Sequence, residues 1–102
     1  HWIAFTLRPR GHIRLDQGAV EALATRGKSL LASGIIEVTG EFEAGDPVGC
    51  LDTDGKEFAK GLVNFPSALL KQMKGLKTQD IQRQIGPQEY EEVIHRDNLV
   101  IL

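Results

Sequence analysis

A chain of 102 residues with 41% apolar content supports one compact domain around a single core and leaves no room for a second. Its formal net charge of −2 excludes a whole-surface attraction to nucleic acid or acidic lipid. No apolar run approaches the roughly 20 residues a bilayer span requires, so a soluble domain without a membrane partner is expected.

Cys50 is the sole cysteine, which rules out an internal disulfide, fits a reducing cytoplasm and suggests a small apolar side chain packed inside. The chain begins at His1, which reads as a domain cut from a longer protein, and Trp2 to Leu7 is too short and wrongly flanked for a secretory signal. The charges are segregated. Seven acids between Glu37 and Glu57 meet only Lys56. Arg8, Arg10, Arg14, Arg26 and Lys28 precede that block, and Lys71, Lys74, Lys77 and Arg83 follow it.

Ile3, Phe5 and Leu7 alternate in a strand-like arm that Arg8-Pro9-Arg10-Gly11 breaks, so residues 1–11 read as a linker from a preceding domain and 12–102 as the domain proper. His12 to Leu15 is a short strand. Asp16 then caps a helix by accepting hydrogen bonds from its free first-turn amides. Val20, Leu23 and Ala24 line its inner face at helical spacing, and Gly27 is placed to end it.

The stretch from Gly34 to Phe65 reads as three strands joined by two turns, and the other elements are arranged around it. Ile36, Val38 and Phe42 fall on even positions, the period of a strand wet on one face. Gly45-Asp46-Pro47 turns the chain, Val48 to Leu51 forms the second strand, and Asp54-Gly55 favours a tight hairpin. The third strand spans Glu57 to Phe65. Within it the small residues of Ala59-Lys60-Gly61 mark a bulge or the close approach of another backbone, a feature that suits a barrel and equally an ordinary twisted meander.

Ser67 is placed to cap a second helix with Leu69, Leu70 and Met73 inward and Gly75 at its end. Thr78 is placed to cap a third, with Asp80 in the first turn, Ile81 and Ile85 facing the core, and Gly86-Pro87 stopping it. Tyr90 to His95 and Leu99 to Leu102 read as closing strands around a turn at Arg96-Asp97-Asn98.

No catalytic constellation emerges from these residues. His1, His12 and His95 lie far apart and the cysteine is single, so no ligand cluster at metal spacing exists. His95 beside Asp97 reads as a histidine satisfied by backbone hydrogen bonds rather than a general base. Gly27-Lys28-Ser29 resembles the tail of a phosphate loop in reverse order, since the helix ends where such a loop would begin one, and position 22 is Ala22 rather than glycine. A nucleotide triphosphate site is therefore not expected, while Arg26, Lys28 and nearby amides can still meet an isolated phosphate. Phe42, Phe58 and Phe65 sit on apolar faces, as core rather than as a base-stacking platform.

Asp16-Gln17-Gly18-Ala19-Val20-Glu21-Ala22-Leu23, then Gly27, Leu30-Leu31, Gly34-Ile35, Gly45-Asp46-Pro47-Val48 and Ala59-Lys60-Gly61, together resemble the PUA domain family. Ser33 departs from the proline usual before the glycine that matches Gly34. The resemblance implies a mixed α+β, mainly β pseudo-barrel of about five to six strands with two to three short helices. It also implies an RNA- or partner-facing surface at Gly18, Ala19, Arg26, Gly27, Lys28, Ser29 and Leu30. A narrower resemblance, through Trp2-Ile3-Ala4, Arg26 to Leu31, Gly61 to Asn64 and above all Glu92 to Val100, is to the C-terminal PUA domain of the glutamate 5-kinase family. That implies a parent homo-oligomer whose amino-acid-kinase domain, lying before His1, uses ATP and Mg2+ to phosphorylate the side-chain carboxylate of L-glutamate in the first step of proline biosynthesis. Catalytic, cofactor and metal residues would all belong to that domain. Two functions follow as expectations: an accessory domain that adjusts activity or assembly, and an RNA-binding module.

Overall fold

The computed structural model describes residues 7–102, so the strand-like arm at Trp2 to Leu7 lies outside the described residues except for its last member. Five strands form one sheet in the order β2-β1-β3-β4-β5, with β1 at Gly11–Leu15, β2 at Ile35–Gly40, β3 at Pro47–Leu51, β4 at Glu57–Leu62 and β5 at Leu99–Ile101. β1 and β3 run parallel, and the other neighbours are antiparallel. Three helices complete the fold: α1 at Gln17–Arg26, α2 at Ser67–Met73 and α3 at Thr78–Gln84. This is the mixed architecture expected.

β1 shows why the sheet has an inside. Gly11, Ile13 and Leu15 are buried while His12 and Arg14 between them are half-exposed, the alternation a one-sided core imposes. Ile13, Val48, Cys50 and Ala59 meet on that inner face with no exposed surface, and Leu23, Leu30, Leu70, Met73, Val93 and Ile94 close over them. Each fully buried aliphatic side chain contributes about 1.5–3 kcal/mol of transfer free energy, so the cluster is the main source of stability. Gly61 belongs to this face because a Cβ there would lie 2.7 Å from Ile94 and 2.9 Å from the Asn98 carbonyl oxygen. The small residues of β4 thus mark a close approach, and the bulge sits just before them, where Leu51 pairs with Glu57 and Cys50 with Ala59, leaving Phe58 extra.

The simple period fails in β2. Arg14 pairs with Glu37 and Leu15 with Ile35, so Ile36 is an inserted residue with no partner in β1. The bulge turns Ile36 outward, 42% exposed, and puts Ile35 and Val38 inside instead. Phe42 is buried as expected, but from the loop beyond the strand.

Other boundaries differ for identifiable reasons. β4 stops at Leu62 because Val63 donates to the Asp46 carbonyl and accepts from Gly45, and Asn64 donates to Val93. The Asp54-Gly55 hairpin is looser than a two-residue turn, and only Gly55 takes positive φ, at 85°. The Asp52 side chain holds that loop by accepting from the Asp54 and Lys56 amides. Pro66, not Ser67, flanks α2, and the Ser67 hydroxyl is instead buried between the Phe42 N–H and carbonyl. Thr78 likewise begins α3 without capping it; Lys77 precedes it in extended conformation. Ala24 on α1 is exposed. Tyr90 to His95 is not a strand. Val93 and Ile94 are consecutive and both fully buried, their backbone groups are divided between Leu30 and Asn64, and only Leu30 and Ile94 form a bridge there.

Candidate functional site

The N-terminus of α1 sets one side of a cleft. Asp16 accepts from the Ala19 N–H at 2.8 Å through its carboxylate, as the sequence predicts, and its own N–H donates to the Gly34 carbonyl at 3.0 Å. One residue therefore ties the helix start to the 3-10 turn at Ala32–Gly34 that enters β2. Gly34 and Ala19 touch closely there, since a Cβ on Gly34 would sit 2.5 Å from that of Ala19.

At the other end Gly27 adopts the left-handed conformation at φ 60°, and the Gly27 and Lys28 amides both turn back to the Ala22 carbonyl. The loop that follows is pinned to the C-terminal segment. The Ser29 hydroxyl accepts from the Arg96 N–H at 2.8 Å, Leu30 donates to the Ile94 carbonyl at 2.9 Å, and Val93 donates to the Leu30 carbonyl at 2.7 Å. Asn64 holds the same segment from the far side, its side-chain amide donating to the Glu92 carbonyl at 2.9 Å and its N–H to that of Val93.

Between these walls lies a cavity of about 590 Å³. Ala19, Ala22, Leu23 and Leu31 give it apolar surface, Ser33 a hydroxyl, and Asp16, Lys28, Glu92, His95 and Arg96 charged or titratable groups. His95 Nδ1 accepts from the Asp97 N–H at 3.1 Å, with an Asp97 carboxylate oxygen at 3.5 Å.

Of the seven residues expected to form a surface, Ala19, Lys28, Ser29 and Leu30 line this cavity. Gly18, Arg26 and Gly27 are exposed and outside its lining, on the outer side of α1 and its C-terminus. Leu30 is only 1% exposed, a wall rather than a contact surface. Sequence reasoning about this surface missed Asp16, Ser33, Gly34, Glu92, His95 and Arg96. The last three lie more than sixty residues from Lys28, and the apolar pair Val93-Ile94 beside them was the only local signal that the segment turns inward. The basic residues of α2 and α3 do not reach the cleft.

Elsewhere the reactive groups are engaged. Cys50 has no exposed surface; its burial, and secondarily the Glu57 carboxylate, push its thiol up to about 12, so it is protonated and inert at neutral pH. His12 Nε2 lies 3.4 Å from Glu57 Oε1. Among the described residues no group of three or more His, Cys, Asp or Glu is placed to hold a metal ion, and no helix is long and apolar enough to cross a membrane.

Residues 11–85 match the PUA domain family. A glutamate 5-kinase of Syntrophus aciditrophicus is 51% identical over 102 residues, covering all of this chain and 26% of that protein. One from Caldanaerobacter subterraneus subsp. tengcongensis is 48% identical over 101 residues, covering 99% of this chain and 27% of that protein. The chain thus spans about a quarter of the length of the curated relatives it matches. Among solved structures, a PUA domain of Aeropyrum pernix K1 in complex with tartrate superposes with a TM-score of 0.59 at 26% identity, over 85% of this chain and 43% of that one. A PUA domain protein of Thermoplasma acidophilum gives a TM-score of 0.57 at 20% identity, over 84% of this chain and 48% of that one, a likeness of fold alone.

Proposed function

The chain belongs to the PUA domain family, and from that premise we propose that it is the accessory domain of a glutamate 5-kinase, adjusting the activity or assembly of an amino-acid-kinase domain in the same protein. The observation that carries this reading is 51% identity to such an enzyme over all 102 residues. ATP, Mg2+ and L-glutamate would be handled by the kinase domain, and homo-oligomeric assembly belongs to the same reading. The engagement of this domain's own reactive groups fits a role without chemistry: Cys50 is buried and protonated, His12 sits beside Glu57, and His95 accepts a backbone N–H. The test is glutamate phosphorylation and oligomer size for the full enzyme with and without this domain. A change in turnover, substrate dependence or assembly is expected; identical behaviour removes the reading.

A second reading, RNA binding, is favoured by the family and by exposed Arg26 and Lys28 flanking Gly27. Both cations sit at a helix C-terminus, where they offset the negative end of the dipole, so a phosphate there would rest on their charge and not on helix amides. Binding should therefore weaken steeply as salt rises. Titration with structured RNA at low salt tests it, and binding untouched by Lys28→Glu ends it.

A further inference from the structure

Three charged side chains line the cleft without partners. Among the described residues the Lys28 ammonium, the Arg96 guanidinium and the Glu92 carboxylate form no ion pair and no side-chain hydrogen bond. The fourth charged side chain, Asp16, is already committed to the Ala19 amide. Opposite charges that line one cavity yet do not neutralise each other are available to its contents: two cations and one carboxylate without partners, beside an Asp16 carboxylate that keeps its negative charge while it caps α1. His95 adds an imidazole from the C-terminal wall, and Ala19, Ala22 and Leu23 supply an apolar surface opposite.

From this complement we infer that the cleft binds a small amino dicarboxylate, a molecule of the acidic amino-acid class. Its ammonium matches Glu92, its two carboxylates match Lys28 and Arg96, and its methylenes match the alanines of α1. The cavity volume of about 590 Å³ lies within the range of small-molecule sites and leaves room for bridging water. A phosphate chain fits this interior less well, because all its charges are negative and it carries no ammonium to meet Glu92 or Asp16. The inference deepens the accessory reading and rests on it for its biological meaning: the ligand is the signal, and the domain relays it to the kinase.

The 102-residue chain labelled with 15N can be titrated with L-glutamate, L-aspartate, succinate, L-alanine and an RNA hairpin. Saturable shifts at the Lys28, Ser29 and Arg96 amides are expected with the amino dicarboxylates. Succinate lacks the ammonium and L-alanine the second carboxylate, so each should bind about tenfold more weakly, the loss of one charge-assisted contact. Glu92→Gln should cost about tenfold for L-glutamate and leave succinate bound no more weakly, since it removes a charge of the same sign; Arg96→Gln should weaken both. These substitutions spare the fold, since the Ser29 latch uses the Arg96 backbone N–H, and a melting curve checks that they do. No saturable shift by about 50 mM amino dicarboxylate, succinate binding as tightly as L-glutamate, insensitivity to both substitutions, or shifts produced by the RNA alone would each overturn the inference. Deletion of the domain from the full enzyme tests the accessory reading separately, so either idea can fail while the other stands.

Discussion

Replacing Gly34 by alanine tests the joint on which the cleft is built. The new Cβ would lie 2.5 Å from the Ala19 Cβ, where carbon atoms need about 3.5–4.0 Å. Helix and turn would have to part by about 1 Å. They are poorly placed to do so, because Asp16 holds both, through the Ala19 N–H at 2.8 Å and the Gly34 carbonyl at 3.0 Å. Overpacking of this kind costs about 1–3 kcal/mol; a value of about 2 lowers the melting temperature of a domain this size by about 8–16 °C. Ala19→Gly alone should cost about 1 kcal/mol, the loss of helix propensity. In the double variant the offending atom is gone and the Gly34→Ala Cβ meets the Ala19 Cα at 3.8 Å and Asp16 Oδ1 at 3.9 Å, both ordinary contacts, so the pair should cost about 1 kcal/mol rather than 3. The coupling of about −2 kcal/mol is readable by urea unfolding of the four proteins. Additivity within about 0.5 kcal/mol would refute the claim that these two residues set the wall of the cleft.

Cys50 should resist thiol reagents in the folded chain and react fully in urea. Its thiol is raised from 9.0 to about 12 on folding, so stability present below pH 9 should be lost as pH rises towards 12, visible as a falling urea midpoint. Ser67→Ala should cost about 1–3 kcal/mol by urea unfolding, since it leaves the buried Phe42 N–H without an acceptor. Ser29→Ala should cost only about 0.5–1.5 kcal/mol, because the Arg96 amide it abandons lies at the surface, but should speed hydrogen exchange at Arg96 selectively.

Residues that act locally were readable before any coordinates. Asp16 caps α1 through its own carboxylate and Gly27 ends it through its own backbone preference, and the short strand expected at His12 to Leu15 forms as β1, hydrogen-bonded on both sides. Reading failed where a distant partner decides the outcome. Ile36 looks inward by period, and only its lack of a counterpart in β1 turns it out. Ser67 has the chemistry of a cap, yet Phe42, 25 residues earlier, claims its hydroxyl. Tyr90 to His95 has apolar content suited to a strand, yet its backbone groups are divided between Leu30 and Asn64. The candidate site divides the same way: Ala19, Lys28, Ser29 and Leu30 follow from one helix and its loop, while Glu92, His95 and Arg96 arrive through a bridge that no local pattern announces.

That division bears on how such a cleft can transmit anything. Its C-terminal wall is held on one side by Ser29 and Leu30 and on the other by Asn64, two residues beyond β4, the strand that pairs with β3. Three residues beyond Arg96 the same wall becomes β5, which among the described residues pairs with β4 alone, through Ala59, Lys60 and Gly61. Gly61 is packed against Ile94, Asn98 and Leu99 too tightly to admit a methyl group without displacement. A shift of the wall towards a bound ligand would therefore press on the close-packed contact at Gly61, beside the β4–β5 pairing. A partner domain seated against that edge would feel the occupancy of the cleft through packing alone.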